Sequence, residues 1–209
     1  MMLKITDLKP QKNDPQRLNV YLDGEFGFGI ARAVAPWLKV GDQLSPEKIE
    51  ELKKADQIER AYKRALHYLS YRSRSKEEVR RNLQKHEVPE VAVEKVLQRL
   101  SENGLVDDLA FAQTWVENRA AFHPRSQWAI KAELRQKGVP RKIIEKAVED
   151  VNDHEMAYEV AQNKLRRIEN LDRPDFERKL YGYLGRRGFP YNICKETAQR
   201  VWSELNEEP

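Results

Sequence analysis

SKEEVRRNLQKHEVPEVAVEKVLQRL, Ser75 to Leu100, decides the fold, because two further stretches repeat its plan. The second, Ser126 to Val151, reads SQWAIKAELRQKGVPRKIIEKAVEDV, and the third, from Phe176, reads FERKLYGYLGRRGFPYNICKETAQRV. Val79, Ile130 and Leu180 lie 51 and 50 residues apart, as do Leu83, Leu134 and Leu184, and Pro89, Pro140 and Pro190. A fixed period of this length marks a repeat architecture.

Each copy reads as two helices joined by a tight corner. Ser75 with Glu78 forms a capping box, in which the hydroxyl accepts an orphan backbone N–H and the carboxylate reaches back. Val79 and Leu83 give a short helix its apolar stripe, and Val93, Val96, Leu97 and Leu100 give the next one its face. Gly138 and Gly188 stand where a left-handed residue ends a helix, while the first copy has Glu87 there, a costlier fit. The prolines that follow open the next helix, where a missing N–H goes unused. Upstream of each copy runs a third amphipathic segment. Its apolar positions are Ala61, Ala65, Leu66 and Leu69, then Phe111, Ala112, Trp115 and Val116, then Ala157, Ala161 and Leu165.

The expected fold is therefore mainly α: three tandem three-helix repeats, elongated, behind a small β-containing extension. The expected boundaries are 1–56 for the extension and its linker helix, then 57–106, 107–153 and 154–209 for the repeats. In the extension, Leu3 to Leu8 and Arg17 to Leu22 alternate like strands, and Asp23-Gly24 signals a hairpin. A three-residue loop is preferred there, since it sets Leu18, Val20, Phe26 and Phe28 on one face. Ala31 to Leu38 suggests a short helix interrupted by Pro36. Ser45-Pro46 then caps and opens a helix to about Ala55, and Asp56 to Glu59 offers another capping box, so a break or bend is expected there. The chain after Leu205 is expected to fray.

The 209 residues include 38 basic and 34 acidic ones, a net charge of +4. The excess belongs to the first repeat: eight basic residues from Arg60 to Arg81 face only Glu77 and Glu78. Arg60, Lys63 and Arg64 fall on one helix side, opposite the inward Ala61, Ala65 and Leu69, and Arg72, Arg74, Arg80 and Arg81 extend the field. Arg186 and Arg187 add charge at the third corner. Such a run reads either as a solvated helix face or as a surface for a polyanion or an acidic protein groove.

No run of about 18 apolar residues is present, so no membrane span is expected. The N-terminus MMLKITDLK lacks a signal-peptide core, and the single cysteine, Cys194, cannot pair internally. Cytoplasmic residence follows as an expectation. The four histidines lack metal-ligand spacing, no phosphate-binding loop occurs, and no cofactor is expected. Gly182 and Gly185 suggest close helix packing, and the tyrosines among the basic residues suggest packing before base stacking. Asp107-Asp108 invites a metal or acid–base reading, but acids at a helix start also cap N–H groups, which is the preferred reading.

Arg74-Ser75 with Leu83, then Asn103-Gly104-Leu105-Val106-Asp107-Asp108 with Phe111-Ala112, and then Lys137-Gly138-Val139 and Arg187-Gly188-Phe189, together resemble the RecX family of regulatory proteins. The resemblance covers about residues 57–205, and residues 1–56 look like the extension of longer members. The first copy departs at His86-Glu87, where glycine is usual. The resemblance implies a non-enzymatic, monomeric modulator of the RecA recombinase in DNA recombination and repair. Such proteins lie along the groove of the RecA–DNA filament and lower recombinase, ATPase and co-protease activities. The basic residues above are then the expected contacts to RecA or DNA. Two other readings remain: a general nucleic-acid-binding helical protein, and a metal-dependent enzyme using Asp107 and Asp108.

Overall fold

The computed structural model describes residues 1–206, so the tail expected to fray falls largely outside the described residues. Its elements run β1 (Leu3–Gln11), β2 (Asp14–Leu22), β3 (Glu25–Ala31), β4 (Gln43–Leu44) and then nine helices among the described residues. These are α1 (Pro46–Leu69), α2 (Lys76–Lys85), α3 (Glu90–Glu102), α4 (Asp108–Phe122), α5 (Gln127–Gln136), α6 (Arg141–Ala147), α7 (Asp153–Leu165), α8 (Arg173–Gly185) and α9 (Tyr191–Asn206). The fold is mainly α, three tandem three-helix units with a small N-terminal sheet. Residues 1–73 and 79–105 form one compact unit; residues 74–78 and 106–209 form another.

In the first unit the sheet order is β3-β2-β1-β4, antiparallel at every pairing. Its inner face buries Ile5, Val20, Leu22, Phe28 and Ile30 against Leu44 and, from α1, Ile49 and Leu52. The hairpin differs from expectation in one respect. Leu22 pairs with Glu25 and Tyr21 with Phe26, the register of a two-residue loop, and Asp23 and Gly24 both take positive φ. A bulge then shifts the register so that Val20 pairs with Phe28. Val20 and Phe28 therefore point inward as expected, but Phe26, before the bulge, is 60 % exposed. Residues 32–40 form turns rather than the expected short helix, which accords with Pro36.

Ser45 accepts from the Lys48 N–H at 3.2 Å and caps α1, with Pro46 at its first turn. The break expected at Asp56 is absent, and α1 continues to Leu69. Asp56 does not cap a new helix. Its carboxylate accepts two bonds from Arg17, at 2.9 and 2.7 Å, and one at 2.8 Å from the Ala31 N–H. This pins β2 and β3 to the helix, and Asp56 is 3 % exposed. Beyond it α1 packs on α3, where Arg99 lies over the Tyr62 ring at 3.8 Å and pairs with Glu59 at 2.7 Å.

The corners follow the sequence reading. Gly138 and Gly188 take φ of 77° and 89°, and Glu87 takes 57°, a left-handed conformation unusual for a side chain with a Cβ. In the second unit α4, α5 and α6 close over Phe111, Ile130, Leu134 and Ile144. Helices α7, α8 and α9 close over Phe176, Leu180, Leu184 and Ala198. Asp172 caps α8, accepting from the Asp175 N–H at 3.0 Å. Gly182 and Gly185 do not mediate close packing. A Cβ on Gly185 would meet nothing within 4 Å, and one on Gly182 would meet only an Arg186 nitrogen.

Candidate nucleic-acid and protein interface

The apolar stripe of α1 dictates where its charges go. Ala61 and Ala65 are buried, so Arg60, Lys63 and Arg64, at the intervening positions, are all exposed on one side. With His67 they form one wall of a groove of about 740 Å³, whose other lining residues are Gln11, Asp14, Arg17, Phe26 and Gly29. Arg17 is committed to Asp56. Arg60 and Arg64 also line a neighbouring cavity of about 690 Å³ with Phe28 and the His86-Glu87-Val88 corner.

The remaining cations expected on this face are placed less uniformly. Arg72 is exposed and donates to the Ser73 carbonyl at 2.9 Å, Arg74 is half-buried and Arg81 is exposed. Arg80 is half-buried and bridges Glu90 and Glu94, tying α2 to α3 within the repeat. Its hydrogen bond to Glu94 holds that carboxyl below the usual carboxylate range. Arg80 thus has a structural task whatever else it touches.

Arg186 and Arg187 belong to the second unit. There they line a cleft of about 390 Å³ with Arg119, His123, Pro124 and Arg125. Arg187 lies over the Tyr183 ring at 4.1 Å. Arg119 and Arg125 share Glu133, at 2.7 and 3.1 Å. Sequence reasoning missed Arg119, His123 and Arg125 as members of this cluster. The available signal is Arg125-Ser126, which echoes Arg74-Ser75 at the entry to the second helix of the repeat.

Asp107 and Asp108 both cap. Asp107 accepts from the N–H groups of Leu109 and Ala110 at 2.7 and 3.2 Å, at the start of its own helix. Asp108 instead accepts from the Lys76 N–H at 2.8 Å, at the start of α2, and its burial raises its pKa. Among the described residues no group of three or more His, Cys, Asp or Glu side chains is placed to hold a metal ion. Cys194 is buried, which pushes its thiol up. Of the tyrosines, Tyr62 is buried, whereas Tyr71 and Tyr191 are exposed. No helix among the described residues is long and apolar enough to cross a membrane.

Comparison with known proteins gives a consistent picture. Residues 3–45 match the model of the regulatory protein RecX N-terminal domain. Residues 61–100, 107–148 and 152–197 match those of the first, second and third RecX three-helix domains. The chain is 30 % identical to the regulatory protein RecX of Bacillus pumilus, over 98 % of this chain and 80 % of that protein. It is 31 % identical to that of Limosilactobacillus reuteri, over 96 % and 77 %. A crystal structure of regulatory protein RecX aligns over 99 % of this chain and 95 % of its own, with TM-score 0.69 and 27 % identity. A crystal structure of RecX from Lactobacillus salivarius aligns over 70 % and 97 %, with TM-score 0.63 and 26 % identity. The chain belongs to the RecX family of regulatory proteins.

Proposed function

We propose that this protein binds the RecA–DNA filament and lowers the recombinase, ATPase and co-protease activities of RecA, acting in the cytoplasm as a monomer without cofactor or catalysis of its own. The observation that carries the reading is the exposed triad Arg60, Lys63 and Arg64 on one face of α1, in a chain of a regulatory family. Exposed cations add little to stability, so a concentrated, one-sided set is better understood as a contact surface. Arg72 and Arg81, of the same unit, extend that surface; in the other unit Arg74 is a further contact, and Arg186 and Arg187, with the Arg119–Arg125 cleft, supply a second surface. Mixing the purified protein with RecA filaments at substoichiometric ratios and following ATP hydrolysis tests the reading. Hydrolysis should fall; an unchanged rate contradicts it.

The cleft around Arg186 also supports a second reading, a helical protein that binds nucleic acid without RecA. Binding driven by phosphates fades steeply with salt. Retention of naked DNA at moderate salt, with no effect on RecA, would favour this alternative.

A further inference from the structure

The seam between the second and third repeats lies within one unit and carries a groove of about 520 Å³. Gln113, Val116, Glu117 and Ala120 line it from α4, at the i, i+3, i+4 and i+7 positions of one helix face. Asn152, Glu155, Met156 and Glu159 line it from the cap and first turns of α7, at the same spacing. Each face is about 10 Å long, two turns of helix.

The apolar residues of the groove are half-buried and continue two cores. Val116, Ala147 and Val151 pack against the core of the second repeat, and Met156 packs against that of the third. The methionine thioether is flexible enough to adapt to a ligand. Around this floor stand Glu117, Asp150, Glu155 and Glu159, all exposed. Among the described residues none of these four carboxylates has an ion-pair partner. Lys146 is the one cation among the lining residues, in a chain whose net charge is +4.

We propose that this groove docks a short basic amphipathic helix of a partner protein, which lays apolar side chains on Val116, Val151 and Met156 and sets lysines or arginines against the carboxylates. Acids alone would make only a solvated rim. An apolar floor inside an acidic rim asks for apolar side chains and positive charge on one segment. Two helix faces of equal length offer a bed for a third helix. A nucleic-acid strand brings charge of the wrong sign, so this surface is a protein contact. The inference does not rest on the role proposed for the basic face of α1.

The test uses the full chain and a fluorescein-labelled peptide of lysine and leucine whose leucines fall at i, i+3, i+4 and i+7, followed by anisotropy at physiological salt. The peptide should bind, and Glu117→Lys with Glu155→Lys, both at exposed positions, should weaken binding about tenfold or more. A scrambled peptide of the same composition, with its leucines spread round the helix, should bind about tenfold or more weaker than the parent. Met156→Gln should cost the parent peptide affinity and leave the scrambled one unchanged. Equal binding of the parent and scrambled peptides would overturn the docking, because charge alone would explain it. So would failure of the parent peptide to bind, or binding that survives the charge reversal. A wild-type chain that sediments as a dimer, and as a monomer once the charges are reversed, would give the groove to a second copy and overturn the proposal as well.

Discussion

The Ser75 hydroxyl donates to the Lys137 carbonyl, 62 residues downstream, at 2.6 Å. Ser126 makes the same bond to Gly188, again 62 residues on and at 2.6 Å. Each hydroxyl also accepts from its own helix, from the Glu78 N–H at 3.1 Å and the Ala129 N–H at 3.2 Å. One serine thus starts a helix and ties it to the corner of the next repeat. The acceptor moves from the residue before the corner glycine to the glycine itself, because the serines are 51 residues apart and the glycines 50.

Because each serine is fully buried and makes both bonds, Ser75→Ala and Ser126→Ala should cost more than an ordinary cap. We expect a loss of about 2 kcal/mol each in urea unfolding, from an unpaired helix N–H together with a stranded carbonyl. Shifts no larger than those of exposed serines would show that the corners are not held in this way.

Asp108 has a specific pH signature. Burial favours its neutral form, so its pKa in the folded chain lies above the ordinary 3.8. Its contribution to stability is then greatest at low pH and is lost as pH rises from the ordinary value through the raised one. Asp108→Asn keeps an oxygen for the Lys76 N–H and removes the charge. It should flatten this part of the stability profile and be no less stable at neutral pH. Asp108→Ala, lacking the acceptor, should lose about 1 kcal/mol.

Asp56→Ala should destabilise the first unit by about 3 kcal/mol, because it leaves the Arg17 guanidinium uncompensated in a buried site. Replacing both Arg17 and Asp56 with leucine should recover much of that loss in the same unfolding assay. A single variant as stable as wild type would mean that the sheet is held by its apolar face alone.

Glu87→Gly should stabilise the protein by about 1 kcal/mol, since it relieves a side chain held at positive φ where the other corners carry glycine. A lower melting temperature would show that the Glu87 side chain contributes a contact that outweighs its backbone strain.

The repeat plan was legible because it is local and periodic: capping serines, stripes at helical spacing and left-handed corners are all written within short windows. What the windows could not show came from tertiary partners. The parity of the hairpin was right for Val20 and Phe28 but wrong for Phe26, because a bulge, not the loop, shifts the register. Asp56 looked like a cap because Glu59 follows it three residues on, yet its partners, Arg17 and Ala31, come from strands far upstream. The triad on α1 could be read from spacing alone. The cleft of Arg119, His123 and Arg125 with Arg186 and Arg187 could not, since it joins the start of one corner to the end of another.

The central claim, that the basic face of α1 is the contact through which this protein acts on RecA, is tested most directly by Arg60→Glu with Arg64→Glu. The double variant should keep wild-type helix content and melting, because exposed charges contribute little to stability. In a titration against RecA filaments with ATP hydrolysis as the readout, it should fail to suppress hydrolysis at concentrations where the wild type does. Suppression at wild-type concentrations would contradict the account and leave that face merely solvated.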